Sequence, residues 1–79
     1  MKIKLNTIED VTKFTSLCTK YNECDIDVKQ GRQIIDGKSI LGIFSLNLLE
    51  PLYVFANSEN DEYISNFYDK IQKWVIDDK

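Results

Sequence analysis

The side chains that could carry covalent chemistry in this sequence are two thiols, Cys18 and Cys24, and a small set of hydroxyls that includes Thr7 and Ser39. Histidine is absent from all 79 residues. A histidine general base, a histidine metal ligand and a phosphohistidine are therefore excluded within this sequence. The same absence excludes a Ser-His-Asp or Cys-His catalytic site.

The two cysteines could form a redox pair or supply a nucleophile, but no histidine is present to activate a thiolate. Two cysteines are also too few for a typical disulfide framework. We therefore expect Cys18 and Cys24 to be reduced and structural. Asp25 and Asp27 alternate along one segment and could bind a cation, but a solvated strand face is the much better explanation of them. We expect no metal and no cofactor.

Ser39 follows an Asp-Gly turn signal and precedes a short apolar segment at helical spacing. A serine in this place is typical of a helix N-cap, whose hydroxyl accepts a hydrogen bond from an amide two or three residues later. The apolar residues that follow are too dense for one short helix to bury them all. We expect Ile40, Leu41 and Phe44 to be partly exposed, and exposed apolar clusters are typical of contact sites.

The composition is that of a small globular protein, and we predict a single domain over residues 1–79. Hydrophobic residues make up 43% and charged residues 29%, which argues against a disordered chain. The net charge of −3 argues against binding to nucleic acid or to an anionic membrane surface. No apolar run is long enough to span a membrane, and the N-terminal residues do not resemble a secretory signal. We expect a cytoplasmic protein.

Hydrophobic periodicity predicts the element order β-α-β-β-α-β-α. Residues 1–5 alternate as a strand, and Asn6 or Thr7 can cap the helix that follows. The apolar stripe of this helix consists of Ile8, Val11, Phe14, Leu17, Cys18 and Tyr21. Lys13 and Lys20 lie seven residues apart on its polar side. They could meet an acidic partner, although a solvated helix face is the simpler interpretation.

The later elements complete an α+β pattern. Residues 24–30 and 33–35 alternate as the two strands of a hairpin, and residues 52–56 form a β-favouring run. A last helical stripe extends to about Ile76, and we expect the acidic end, Asp77 and Asp78, to fray. This pattern predicts a four-stranded antiparallel sheet with three helices on one face.

Residues 38–46, KSILGIFSL, resemble the segment around the regulatory serine of HPr, the small phosphocarrier of the bacterial sugar phosphotransferase system. The family's segment reads Lys-Ser-Ile-Met-Gly-Val-Leu-Ser-Leu, and all nine positions agree in kind. The predicted element order is also that of HPr. The resemblance implies an HPr-like open-faced β-sandwich and a regulatory phosphorylation site at Ser39.

The resemblance fails where HPr carries its phosphoryl group. In the family, a segment like Gly-Leu-His-Ala-Arg-Pro begins the first helix. When the two sequences are anchored on Phe14, Thr7 falls in the histidine position and Glu9 in the position of the phosphate-clamping arginine. Glu9 and Asp10 would repel an anion where a cation is needed. The catabolite-repression paralogue of HPr also lacks the histidine and keeps the serine, but this chain lacks the arginine as well.

The resemblance implies a non-enzymatic regulatory or protein-binding module that cannot act as a histidine phosphocarrier. We predict that its partner is an HPr serine kinase or a transcriptional regulator. The predicted partner-binding residues are Lys38, Ile40, Leu41 and Phe44. Two alternatives stay open. One is a phosphotransferase component that accepts phosphate at Thr7 or at a cysteine, and the other is a structural protein that forms a homodimer through the same surface.

Overall fold

The computed structural model describes residues 1–76, so the predictions for Asp77 and Asp78 lie outside the described residues. The elements follow the predicted order. They are β1 (Lys2–Ile3), α1 (Ile8–Lys20), β2 (Asp25–Gln30), β3 (Gln33–Asp36), α2 (Ile40–Phe44), β4 (Leu52–Asn57) and α3 (Asp61–Lys70), followed by a 3₁₀ turn (Gln72–Trp74). No helix among residues 1–76 is both long enough and apolar enough to cross a membrane.

The four strands form one antiparallel sheet in the spatial order β1-β4-β2-β3. Val28 lies opposite Ile35 of β3 on one side and Val54 of β4 on the other, which sets the register of these two strands against β2. Gly31 closes the β2–β3 hairpin with a positive φ of 59°, a conformation that side-chain-bearing residues rarely adopt. The sheet is therefore assembled from a hairpin and two strands that are distant in sequence.

The core lies between one face of the sheet and the helices. Alternate strand residues such as Ile26, Val28 and Val54 are fully or almost fully buried, and they belong to the same apolar cluster as Phe14 of α1 and Phe67 of α3. Their neighbours along the strands face solvent on the other side of the sheet. The α+β prediction, with a four-stranded antiparallel sheet and three helices, is confirmed.

The apolar stripe of α1 is shorter than its sequence predicts. Val11, Phe14 and Cys18 are completely buried, whereas Ile8 is 74% exposed. Ile8 is the first residue of the helix, directly after the Thr7 cap, and Val11 is the first buried residue of the stripe. The assignment of Ile8 to the buried stripe was wrong, because periodicity does not show where along a helix the packing against the core begins.

The last helix ends at Lys70 and not near Ile76 as predicted. After the 3₁₀ turn, Val75 is extended and forms an isolated antiparallel bridge with Ile3. The Lys4 amide donates to the Trp74 carbonyl at 2.9 Å, and the Ile76 amide donates to the Lys2 carbonyl at 3.1 Å. These bonds satisfy backbone groups on the outer edge of β1, which a continued helix could not do.

Candidate functional site

The turn that carries Ser39 is held by backbone hydrogen bonds. The Gly37 amide donates to the Ile26 carbonyl at 2.8 Å, and the Ser39 amide donates to the Asp36 carbonyl at 3.0 Å. The Asp36 side chain accepts from the Lys38 amide at 2.9 Å, as is common for an aspartate at the start of a turn. The position of Ser39 is therefore fixed to the end of the β2–β3 hairpin.

Ser39 is the N-cap of α2, as predicted. Its hydroxyl accepts a hydrogen bond from the Gly42 amide at 3.1 Å, and its carbonyl accepts from the Ile43 amide at 3.0 Å. The backbone of Ser39 is extended, with φ −96° and ψ 102°, which is typical of an N-cap. The residue is exposed. Ser39 therefore lies at the surface with its hydroxyl held by the first turn of α2.

Gly42 allows α2 to approach the sheet closely. A Cβ atom built at Gly42 would lie 2.5 Å from Cγ2 of Ile35, which is much closer than two carbon atoms can approach. The glycine that the sequence shares with the HPr segment therefore has a packing reason in this fold. Because α2 packs closely against β3, the positions of its outward-facing residues are fixed by the sheet.

The outward residues of α2 form an exposed apolar surface, which we call the α2 patch and define as Ile40, Leu41 and Phe44. Their exposed fractions are 38%, 81% and 39%, respectively. Ile43 of the same segment is completely buried and Leu46 is 5% exposed. The sequence-based division of this dense apolar segment into buried and exposed residues matches the geometry.

Lys38 lies next to Ser39, but its ammonium group is not directed to the α2 patch. It donates a hydrogen bond to the Cys24 carbonyl at 3.2 Å, and the residue is partly buried. The side chain therefore joins the turn to the start of β2. The adjacency of Lys38 and Ser39 in sequence does not show this, because the partner of Lys38 comes from a distant segment.

The start of α1 aligns with the segment of HPr that carries the phosphoryl group in that family. Thr7 caps the helix, and its hydroxyl accepts from the Asp10 amide at 3.0 Å. Glu9 forms an ion pair with Lys13 at 2.9 Å. A hydrogen bond from the Trp74 side chain, with others from Asn6 and Thr7, keeps the pKa of Asp10 below its usual range despite some desolvation. The helix start therefore carries two carboxylates, and the lowered pKa of Asp10 keeps that group ionised at neutral pH.

The two cysteines are free thiols, and both are buried. Burial raises the pKa of Cys18 to about 12, and the nearby Cys24 and Asp36 add to this effect. Burial also raises the pKa of Cys24, although the positive charge of Lys38 opposes the shift. Neither thiol has the lowered pKa of a reactive cysteine. The geometry is that of two structural residues.

We expect both native thiols to resist alkylation. At pH 8, a pKa near 12 leaves a thiolate population about a thousandfold smaller than that of an ordinary cysteine, and burial slows the reaction further. Iodoacetamide labelling followed by mass spectrometry should show no modification of Cys18 in the folded protein and complete modification in urea. Because the unfolded chain ionises first, the free energy of unfolding should fall as pH rises from about 9 towards 12. Rapid labelling of the folded protein would contradict this assignment.

Within residues 1–76, no group of three or more cysteine, aspartate or glutamate side chains is arranged to hold a metal ion. Asp25 and Asp27 are exposed on the open face of the sheet. Several exposed apolar side chains were not anticipated from the sequence, among them Ile34 at 61% and Phe55 at 45% on the sheet. Leu49 is 84% exposed in the loop after α2, and the Leu48-Leu49 pair before Pro51 was the only signal for it.

The structure is similar to that of the catabolite repression protein Crh of Bacillus subtilis, which was described as an intertwined dimer with a swapped domain. The similarity has a TM-score of 0.64 and covers 95% of this chain and 88% of the Crh chain, at 17% sequence identity. No family model and no curated protein matches the sequence. At this identity the similarity concerns the fold. The chain therefore has the open-faced, HPr-like fold that is found in Crh.

Proposed function

We propose that this protein is a cytoplasmic, non-catalytic regulatory module that binds a protein partner through the α2 patch. The observation that carries the proposal is the exposure of Leu41, with Ile40 and Phe44 beside it, on a helix that is packed tightly against the sheet. An apolar surface on a rigid support loses little conformational entropy when it binds. The resemblance of residues 38–46 to HPr adds that an HPr serine kinase or a transcriptional regulator is the kind of partner expected.

Phosphorylation of Ser39 would act as a switch on this surface. A phosphate adds nearly two negative charges and three acceptor oxygens directly beside the α2 patch. Such a charge weakens an apolar interface because it must be desolvated, and it strengthens an interface that offers arginine side chains. The exposed hydroxyl of Ser39 is accessible to a kinase, and the Gly42 amide that it now binds can donate to a phosphate oxygen instead.

The phosphocarrier alternative has less support. Thr7 is engaged as a helix cap next to two carboxylates, and the two thiols are buried and protonated. A phosphoryl acceptor requires a free nucleophile with a cation close by. Self-association remains the second candidate because an exposed apolar patch can pair with its own copy, and Crh is described as a dimer.

The first test is phosphorylation by an HPr serine kinase with ATP, measured by intact mass and peptide mapping. We expect one phosphate on Ser39 in the native chain and none in Ser39→Ala. Ser45→Ala is the matched control, because Ser45 is also exposed and belongs to the end of the same helix. The control should be phosphorylated normally. If the kinase modifies authentic HPr in a parallel reaction but not this chain, the switch is excluded.

The second part of the test concerns docking on the α2 patch. Leu41→Asp should reduce the efficiency of Ser39 phosphorylation by about tenfold, because an apolar contact is replaced by a charge. Leu49→Asp is the matched control, since Leu49 is equally exposed but lies outside α2. Analytical ultracentrifugation of the same variants separates the alternatives. A dimer that Leu41→Asp dissociates, in a chain that no kinase modifies, would favour self-association.

A further inference from the structure

A lysine-rimmed groove runs between α1 and the C-terminal part of the chain, away from the residues of the α2 patch. We call it the lysine groove and define it by its four cationic residues and its apolar floor. The cationic residues are Lys13 and Lys20 of α1, Lys70 of α3 and Lys73 of the 3₁₀ turn. Leu17 and Trp74 contribute to the floor, and the volume is about 310 Å³.

The groove continues along α1 into a second depression of about 560 Å³. Leu17, Lys20 and Lys70 line both parts, so they mark the place where the two parts meet. Tyr21 and Tyr63 extend the floor with aromatic surface. The two parts are therefore adjacent, and their lining combines apolar residues with lysines from α1 and from the C-terminal part of the chain.

The charge of the groove is opposite to that of the protein. The chain carries a net charge of −3, with 13 acidic residues against 10 basic ones. Four of those basic residues line this one groove, and none of the described residues that line it is acidic. The concentration of positive charge is therefore local. Lys20, Lys70 and Lys73 supply most of the attraction for an anion, because Lys13 is already paired with Glu9.

The lysines are held in place to different degrees. Lys13 is paired with Glu9 at 2.9 Å, and Lys73 lies over the ring of Trp74 at 4.9 Å from its centroid. Lys20 and Lys70 are exposed at the junction of the two parts. Lys13 and Lys20 are two helical turns apart, about 10 Å along the axis of α1. The positive charge is thus spread along the groove and not focused on one point.

We propose that the lysine groove binds an acidic, amphipathic segment of a partner protein. A small anion would need several donors that converge on one position, whereas here the ammonium groups line two sides of an apolar floor. A helix with apolar residues on one face and carboxylates on its flanks matches this pattern. Its apolar face would pack against the floor of the lysine groove, and its carboxylates would form ion pairs with the lysines. This surface is independent of Ser39 and of the α2 patch, and it would give the module a second attachment point.

The test uses a fluorescently labelled amphipathic peptide of about 15 residues, with leucine on one face and glutamate on the flanks, together with a glutamine version. Binding to the full 79-residue chain is measured by fluorescence anisotropy at low and at moderate salt. We expect binding of the glutamate peptide that weakens with added salt, and no binding of the glutamine version. Lys20→Gln/Lys70→Gln should weaken binding about tenfold.

The matched control is Lys29→Gln/Arg32→Gln, which removes the same charge from the β2–β3 hairpin. This control should bind within about twofold of the native chain, because remote exposed charges contribute little. Circular dichroism establishes that both variants remain folded. The proposal is overturned if the groove variant binds as tightly as the native chain or if both variants lose affinity equally. Binding to phosphatidylserine vesicles without binding to the peptide would replace the protein partner with a membrane surface.

The outcome of the peptide-binding experiment does not depend on whether the proposed function is correct. Leu41→Asp and Ser39→Ala leave the lysine groove unchanged, so both should bind the peptide normally. Conversely, Lys20→Gln/Lys70→Gln should be phosphorylated normally on Ser39. If the protein binds the peptide but is never phosphorylated, the proposal for the lysine groove stands and the proposed switch at Ser39 is rejected.

Discussion

Replacing Phe14 with alanine is expected to lower the free energy of unfolding by about 3–5 kcal/mol. Phe14 is completely buried, and its ring meets the ring of Trp74 edge to face, with centroids 5.8 Å apart. The substitution removes the whole ring and leaves a cavity between α1 and the C-terminal segment. Small domains have a total stability of about 5–15 kcal/mol, so this single change removes a large fraction of it.

Urea denaturation followed by circular dichroism measures the effect, and Ile8→Ala is the matched control. Ile8 lies on the same helix and was placed on the same apolar stripe by its spacing, yet it is 74% exposed. We expect this control to change the free energy of unfolding by no more than about 0.5 kcal/mol. Equal losses in the two variants would mean that Ile8 belongs to the core after all.

The second large effect is expected at Gly37. A Cβ atom added there would lie 2.7 Å from Cγ2 of Ile26 and 3.2 Å from the sulfur of Cys18. Gly37 is buried in the turn before Ser39, so neither neighbour can move aside without disturbing the core. Gly37→Ala should therefore cost about 1–3 kcal/mol, which is typical of an overpacked site.

The cause of this loss can be tested with a double-mutant cycle. Ile26→Leu conserves the volume of the side chain but moves the methyl group away from Cβ, so it relieves the closest contact. On this background Gly37→Ala should cost at least about 0.5 kcal/mol less than in the native chain. Additive effects of the two substitutions would show that the cost at Gly37 arises from the backbone and not from the contact with Ile26.

Features that depend on a few neighbouring residues were predictable from the sequence. The hairpin follows from the alternation of residues 24–30, and the cap at Ser39 follows from a serine placed between a turn and an apolar helix. Both the hairpin and the cap are formed by hydrogen bonds between residues that are close in sequence. The partial exposure of the apolar segment at α2 follows from the short length of the helix, and Leu41 is one of the residues left exposed.

Features that depend on distant segments were not predictable. The end of α3 at Lys70 depends on the extended pairing of Val75 with Ile3, which periodicity cannot show. The partner of Lys38 is a carbonyl of another segment. The spacing of Lys13 and Lys20 indicated only one side of the lysine groove. The other side consists of residues that are distant in sequence, including Lys70.

The placement of β1 has a consequence for the order in which the protein folds. β1 pairs with β4 on one side, and the backbone of residues 2–4 contacts Trp74, Val75 and Ile76 on the other, so these backbone partners belong to the second half of the sequence. β1 therefore cannot complete its pairing until residues 52–57 and 74–76 have been synthesised. Joining such distant segments carries the entropic penalty of closing a long loop, which slows folding relative to local contacts. The β2–β3 hairpin joins segments that are close in sequence, so we expect it to form before the pairing of β1 with β4.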